Sequence, residues 1–397
     1  MKKQRRRIYA ALLCSSMVLS LVSMPVSAAE TGQLTNPPTS TEGPGSPESA
    51  SGNEAAAVLN GLYAALPVAN GVKEVATADE LTDALADSSI SIITLKDDVE
   101  ISSTLTVNRT VTLDLNGNVL KMTGSDSVIK VEADGDLTIQ DRNTTTQHTF
   151  NPHCKYQFWY IDMWELDKDG SEIVSGGVIT GGGGDQNNGG GVLVAGGTLT
   201  MAGGSIVGCS ARSRGGGVYL GKDSDTGKSG TFIMTSGSII GCAAQLGGGV
   251  YVTSGCTFVM ATSSNIHNCI ANNDGGGVIN HGTFQMRGGT ISTCTTVAFG
   301  GGGVCNNGTF IMSDGMIKGC TSPDGQYASG GGVRNSNQFT MTGGMIGDPD
   351  NENDASHVYN TSSQETTLTI SGNAKIYTDI TNVGILNADG GEIAGTM

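Results

Sequence analysis

The residues best suited to chemistry lie together between positions 142 and 173. That stretch holds Phe150, Tyr156, Phe158, Trp159, Tyr160 and Trp164, including both tryptophans of the chain, together with His148, His153 and Cys154. Flat aromatic faces stack on the apolar faces of sugar rings, which makes Tyr156, Trp159, Tyr160 and Trp164 the ligand-binding candidates. The same cluster can instead pack on the flank of the fold as an apolar lid. Large aromatics are more often buried than ligand-binding, so the lid is the preferred reading. His153-Cys154 has no second pair at ligand spacing and no Cys-x-x-Cys occurs, so a zinc or other transition-metal centre is not indicated.

Two other groups of residues invite a chemical reading. Asp348, Asp350, Glu352 and Asp354 alternate with Pro349, Asn351 and Asn353. Such a run of oxygen ligands suits Ca²⁺, but it lacks the sixth-place Gly and the distant Glu of an EF-hand, and a solvated acidic turn is the simpler reading. Five scattered histidines define no Ser/His/Asp or Cys/His constellation. No catalytic residue is assigned, and a non-enzymatic chain is expected. A divergent polysaccharide lyase or glycoside hydrolase working beside residues 142–173 is one alternative, and a piece of a longer surface protein, inert by itself, is another.

The elements that must position these groups announce themselves by repetition. Gly-Gly-Gly-Val ends at Val192, Val218, Val250, Val278, Val304 and Val333, at intervals of 26, 32, 28, 26 and 29 residues. Within each repeat follows a strand such as Thr231-Phe232-Ile233-Met234 or Thr309-Phe310-Ile311-Met312. A third knot places Ile three residues before Cys, as in Ile206/Cys209, Ile239/Cys242, Ile266/Cys269, Ile291/Cys294 and Ile317/Cys320. Three short strands per repeat with no helical pattern between them predict an all-β, right-handed, single-stranded parallel β-helix. Its coils stack at ~4.8 Å, because no single coil buries its own apolar face. The Gly triplets then read as corners that need positive φ and close backbone approach. A phosphate-cradling loop would require a helix immediately after it. The five recurring cysteines should line one face as buried thiols acting as small hydrophobes.

The ends of the chain are of a different kind. Residues 1–29 carry Lys2, Lys3, Arg5, Arg6 and Arg7, an apolar run from Ile8 to Val22, and Val26-Ser27-Ala28-Ala29, which reads as a secretory signal peptide. The chain has 21 basic and 37 acidic residues, and loss of the five basic residues in this segment leaves 16 against 37, a balance of −21. So acidic a surface argues against nucleic acid as a partner, and no second apolar run is long enough to span a membrane. Residues 30–71, with Pro37, Pro38, Pro44 and Pro47 among Ser, Thr, Gly and Glu, read as a linker or stalk.

The β-helix is expected over 72–397, with the aromatic insertion at 142–173. Its first helix is predicted at about Ala78 to Ala86, behind the capping box Thr77-Ala78-Asp79-Glu80. Alternating strand text follows, including Thr110-Val111-Thr112-Leu113-Asp114-Leu115-Asn116-Gly117. This text resembles the start of the pectate-lyase-like parallel β-helix superfamily. More narrowly, the chain is similar to Gly-rich, acidic β-helix repeat proteins on the surfaces of Gram-positive gut bacteria. The resemblance is specific for fold and implies little about activity, since that superfamily holds lyases, hydrolases and adhesins. The Gly-His-Gly and Arg-Ile-Lys text of its polygalacturonase-like members is absent. The expected protein is therefore a secreted or wall-associated scaffold or adhesin-like module, with a polysaccharide, host or cell-wall surface as partner. It is expected to self-associate through its last coil, which shows no capping text.

Overall fold

The computed structural model describes residues 71–155, 162–184, 188–323, 330–351, 354–361 and 366–396. The helix forms over Ala78–Ala86, with the Thr77 hydroxyl accepting from the Glu80 amide and with Leu81 and Ala84 buried. The reciprocal bond of the box is displaced by one residue, since the Glu80 carboxylate accepts from the Ala76 amide at 2.8 Å. From there on the described chain is strands and turns, and the coils pair in parallel throughout.

The register is the one that the glycine-valine text sets. Val192, Val218, Val250, Val278, Val304 and Val333 are successive partners in one sheet. The column continues back to Ile129 and Leu105 and forward to Val358 and Ile380, giving ten strands. The protein is thus a parallel β-helix, as expected.

One detail of the coil differs from the expectation of three short strands. In the central coils the Thr-Phe-x-Met and Ile-x-x-Cys knots run together as a single long strand: Thr231–Ile240, Thr257–His267, Thr283–Ser292 and Thr309–Lys318. A register shift in each pairing bends this strand between its two halves. A further short strand follows the cysteine, as in Ser210–Arg214, Ala243–Leu246 and Ile270–Asp274, and these stack as a sheet of their own. Its text, Ser-Ala-Arg-Ser-Arg in one coil and Ala-Ala-Gln-Leu in the next, shares too little between repeats to be seen as a recurring knot.

Each glycine of a triplet has its own reason, shown by Gly215-Gly216-Gly217. Gly215 sits at φ 66°, a left-handed conformation that side chains resist. A Cβ on Gly216 would stand 2.5 Å from the carbonyl oxygens of Ala243 and Gly248, and one on Gly217 would stand 2.7 Å from that of Gly249 and from Ile239 Cγ2. The corner is closed by backbone from the next coil, and no phosphate-sized space is left.

Inside, identical residues stack on identical residues. Phe232, Phe258, Phe284, Phe310 and Phe339 are buried with ring centroids 4.5–4.8 Å apart and planes within 9°. Asn280, Asn306, Asn335, Asn360 and Asn382 form a ladder in which each Nδ2 donates to the next Oδ1 at 2.7–2.8 Å. Cys209, Cys242, Cys269, Cys294 and Cys320 are free and fully buried. Burial pushes the Cys269 and Cys294 thiols well above the usual range, so these two are neutral and pack as small hydrophobes.

Candidate functional site

The insertion leaves the helix at one corner. It joins the strands Asp136–Gln140 and Val178–Thr180, the place where the later coils have only the bend of the long strand. It forms a three-stranded antiparallel sheet in which Gln147–Lys155 is central, flanked by Asp162–Leu166 and Glu172–Ser175.

Charge fixes its base. The Asp141 carboxylate accepts from the amides of Gly117 at 2.7 Å and Gly177 at 2.8 Å, holding both ends of the insert to the same turn. Arg142 forms an ion pair through Nε with Asp114, whose side chain is fully buried and also accepts from the Asn116 amide. His148 Nε2 lies 3.0 Å from the Gly117 carbonyl oxygen.

Apolar packing fixes its body. Phe150, Trp164 and Val174 bury themselves on Val119, Val178, Val207 and Ile240, all on the outer face of the coils. That outer column reads Val207, Ile240, His267, Ser292 and Lys318 from coil to coil, so it is apolar only where the insert covers it. Trp164 reaches furthest. Its amide donates to the Gly241 carbonyl at 3.0 Å, and its ring meets that of His267 edge-on at 6.3 Å.

Gly208 and Gly241 permit this approach. Both hold positive φ, and a Cβ on either would collide with Trp164. Trp164 itself is 7% exposed, which leaves little of its ring for stacking on a ligand. Tyr156, Trp159 and Tyr160 lie outside the described residues.

The other sequence candidates are largely occupied by the fold. Burial, with Glu165 beside it, pushes the Cys154 thiol up to about 11, so it is protonated at neutral pH and a poor metal ligand. Asp348 pairs with Lys318 at 3.0 Å. Asp354 is buried and accepts from the amides of Gly319 at 3.0 Å and Ser356 at 2.8 Å. Glu352 and Asn353 lie outside the described residues. Among the described residues no group of three His, Cys, Asp or Glu side chains could hold a metal ion.

A second constellation escaped notice in the sequence. On the outer face of the ten-stranded sheet, Tyr219 stacks on Tyr251 at 5.5 Å, and His281 lies 5.4 Å beyond it. The Arg214 guanidinium sits over the Tyr251 ring at 5.3 Å. Further along, Arg334 Nη1 approaches Asp274 at 3.6 Å beside Cys305, whose thiol burial pushes up to about 12. The signal was present. Tyr219, Tyr251, Ile279, Cys305 and Arg334 each follow the valine of a glycine triplet, and Arg214, Leu246 and Asp274 each precede a triplet. Their chemical types differ from coil to coil, so they do not register as a repeat.

Three grooves mark the flank. One of about 390 Å³ lies on one side of the insert, against Lys121, Glu165 and Thr180. One of about 320 Å³ lies on the other side, against His153, Asp162, Trp164 and Glu172. The widest, of about 660 Å³, follows the bend of the long strands past Thr290, Asp314, Asn373 and Lys375. None of these three combines three acids with a lysine or arginine, the set expected of a lyase or hydrolase groove.

No helix among the described residues is long and apolar enough to cross a membrane. No curated protein and no solved structure matches the chain. Residues 72–182 match the family model described as "Putative pectate lyase-like adhesive domain". The helix, the first coils and the whole insert are therefore similar to an adhesive branch of the pectate-lyase-like β-helices, the superfamily that the strand text around Asn116-Gly117 resembles.

Proposed function

We propose that this chain is a secreted, surface-displayed β-helix of adhesin type, which holds a polysaccharide or host surface along its insert-bearing flank without turning it over. Residues 1–29 would export it and residues 30–71 would act as the stalk that carries the helix away from the cell. The observation that carries this reading is the anchoring of the aromatic insert. Asp141, the Asp114–Arg142 pair and Trp164 fix it at its base and its far edge, within the segment that resembles an adhesive domain. A binding platform benefits from such pre-organisation, because little ordering remains to be done when a ligand arrives.

The test is retention of the purified chain on immobilised glycans and host matrix. The comparison is a variant in which residues 142–175 are replaced by a short turn like those of the later coils. Loss of retention with unchanged far-UV circular dichroism is the expected result. Equal retention places the site elsewhere, and release of unsaturated or reducing sugar ends from pectins or glycosaminoglycans overturns the non-catalytic part.

A further inference from the structure

The residue immediately before each ladder cysteine adopts positive φ. In three coils it is glycine: Gly208 (59°), Gly241 (57°) and Gly319 (60°). In the two coils just beyond the insert it is Asn268 (55°) and Thr293 (52°). Asparagine tolerates this conformation, but a β-branched threonine rarely adopts it. Glycine would hold the same backbone without strain, so these two side chains are present at an energetic cost. Strained positions of this kind concentrate where a side chain is needed for function.

Their location suggests the purpose. Asn268 and Thr293 form one wall of the 320 Å³ groove at the edge of the insert. The Thr293 hydroxyl donates to Asn268 Oδ1 at 2.6 Å, which leaves the Asn268 amide hydrogens free of that bond. The opposite wall comes from the insert, with His153, Asp162 and Glu172 around the covered ring of Trp164. A carboxamide, hydroxyls, an imidazole and two carboxylates beside an aromatic edge form a donor-and-acceptor set suited to a ligand rich in hydroxyls. Among the described residues no lysine or arginine lines the groove itself. Asp162 is paired with Lys155, so Glu172 is the carboxylate that would repel a uronate, sialate or sulfate. The volume is at the small end of ligand sites, enough for the terminal unit of a chain.

We propose that this groove is a binding subsite for an uncharged sugar residue, with Asn268 and Thr293 as its specificity-determining side chains. This rests on the glycan-holding reading of the insert and narrows it to one wall and one class of sugar.

The experiment uses the full chain on an array of immobilised oligosaccharides. One half ends in neutral hexoses and N-acetylhexosamines, and the other ends in uronic, sialic or sulfated sugars. The test variant is Asn268→Gly with Thr293→Gly, which restores the residue found at Gly208, Gly241 and Gly319. The expected result is binding on the neutral half that falls about tenfold or more in the variant, with a melting temperature no lower than that of the parent. Equal binding by the variant overturns the groove while leaving the glycan reading intact. Parent binding confined to the acidic half overturns the sugar class. No binding by the parent on either half removes both. A variant that loses binding only because it unfolds shows a lowered melting temperature, and then the two side chains are structural and the proposal fails.

Discussion

Trp164 and Gly241 are fitted to one another across the seam between insert and helix. The tryptophan amide donates to the glycine carbonyl at 3.0 Å, and the indole occupies the space that a Cβ on residue 241 would need. Gly241→Ala therefore forces a side chain into both a left-handed backbone and an occupied volume. A cost of about 2–4 kcal/mol is expected from the strain and the overpacking together. It should be read as a red shift of tryptophan fluorescence and faster proteolysis within the insert, with the β-helix circular dichroism retained.

Removing the ring tests the same seam from the other side. Trp164→Ala opens a cavity against Phe150, Val207 and Ile240 and should destabilise insert docking by about 3–5 kcal/mol. Because the described insert residues pack on the outer face of the coils, the loss should appear as fast amide exchange in residues 147–175 while the central coils stay protected.

The asparagine ladder predicts a graded effect along the stack. Asn306→Ala removes one of the two acceptors of buried Asn280 Nδ2, which keeps the Thr309 carbonyl, and the shorter of the two bonds to buried Asn335 Oδ1, which keeps the Asn337 amide at 3.4 Å. A loss of about 1–3 kcal/mol is expected in thermal denaturation. Asn382, the last rung, is exposed, and Asn382→Ala should cost clearly less. Equal costs at the two positions would mean that burial does not set the worth of a rung.

Acidification should loosen the insert before it unfolds the helix. Burial holds the His267 imidazole below the ordinary value of 6.5, and its ring lies edge-on to Trp164. A depressed folded-state value means that the unfolded or undocked form binds the proton more readily. The stabilisation is complete above about pH 6.5 and declines as pH falls from there toward the folded value. In a Trp159→Phe background, Trp164 fluorescence titrated from pH 8 to 5 should report undocking in that window, and His267→Gln should flatten the curve. His281 is shifted in the same direction by its own burial and by Arg214, but it lies on the Tyr251 face. His281→Gln should leave the tryptophan titration unchanged.

The repeat text was enough to set the stacking register, because each Gly-Gly-Gly-Val corner admits only one partner position in the next coil. It also placed the helix at Ala78–Ala86 and the cysteines in a buried column. What could not be read was whatever lies on the outside. The strand after each cysteine reads Ser-Ala-Arg-Ser-Arg, Ala-Ala-Gln-Leu and Ile-Ala-Asn-Asn-Asp in successive coils, with too little shared text to register as a repeat. The Tyr219–Tyr251–Arg214 face sits at the positions that vary most between coils. The insert was visible as a break in the rhythm, but its footprint was not. Val207 and Ile240 look like ordinary strand residues until their column is followed to His267, Ser292 and Lys318, where the apolar character stops.

The parallel ladder has a mechanical consequence. Every backbone hydrogen bond between coils points along the helix axis, so tension applied along that axis loads them in sequence, like a zip, and not together. Each coil of 26–32 residues that peels away would release roughly 90–110 Å of extended chain. The insert should interrupt that series, because Asp141 and Trp164 staple several coils to one another across the flank. A stretched molecule would then yield coil by coil toward the insert and halt at the stapled segment.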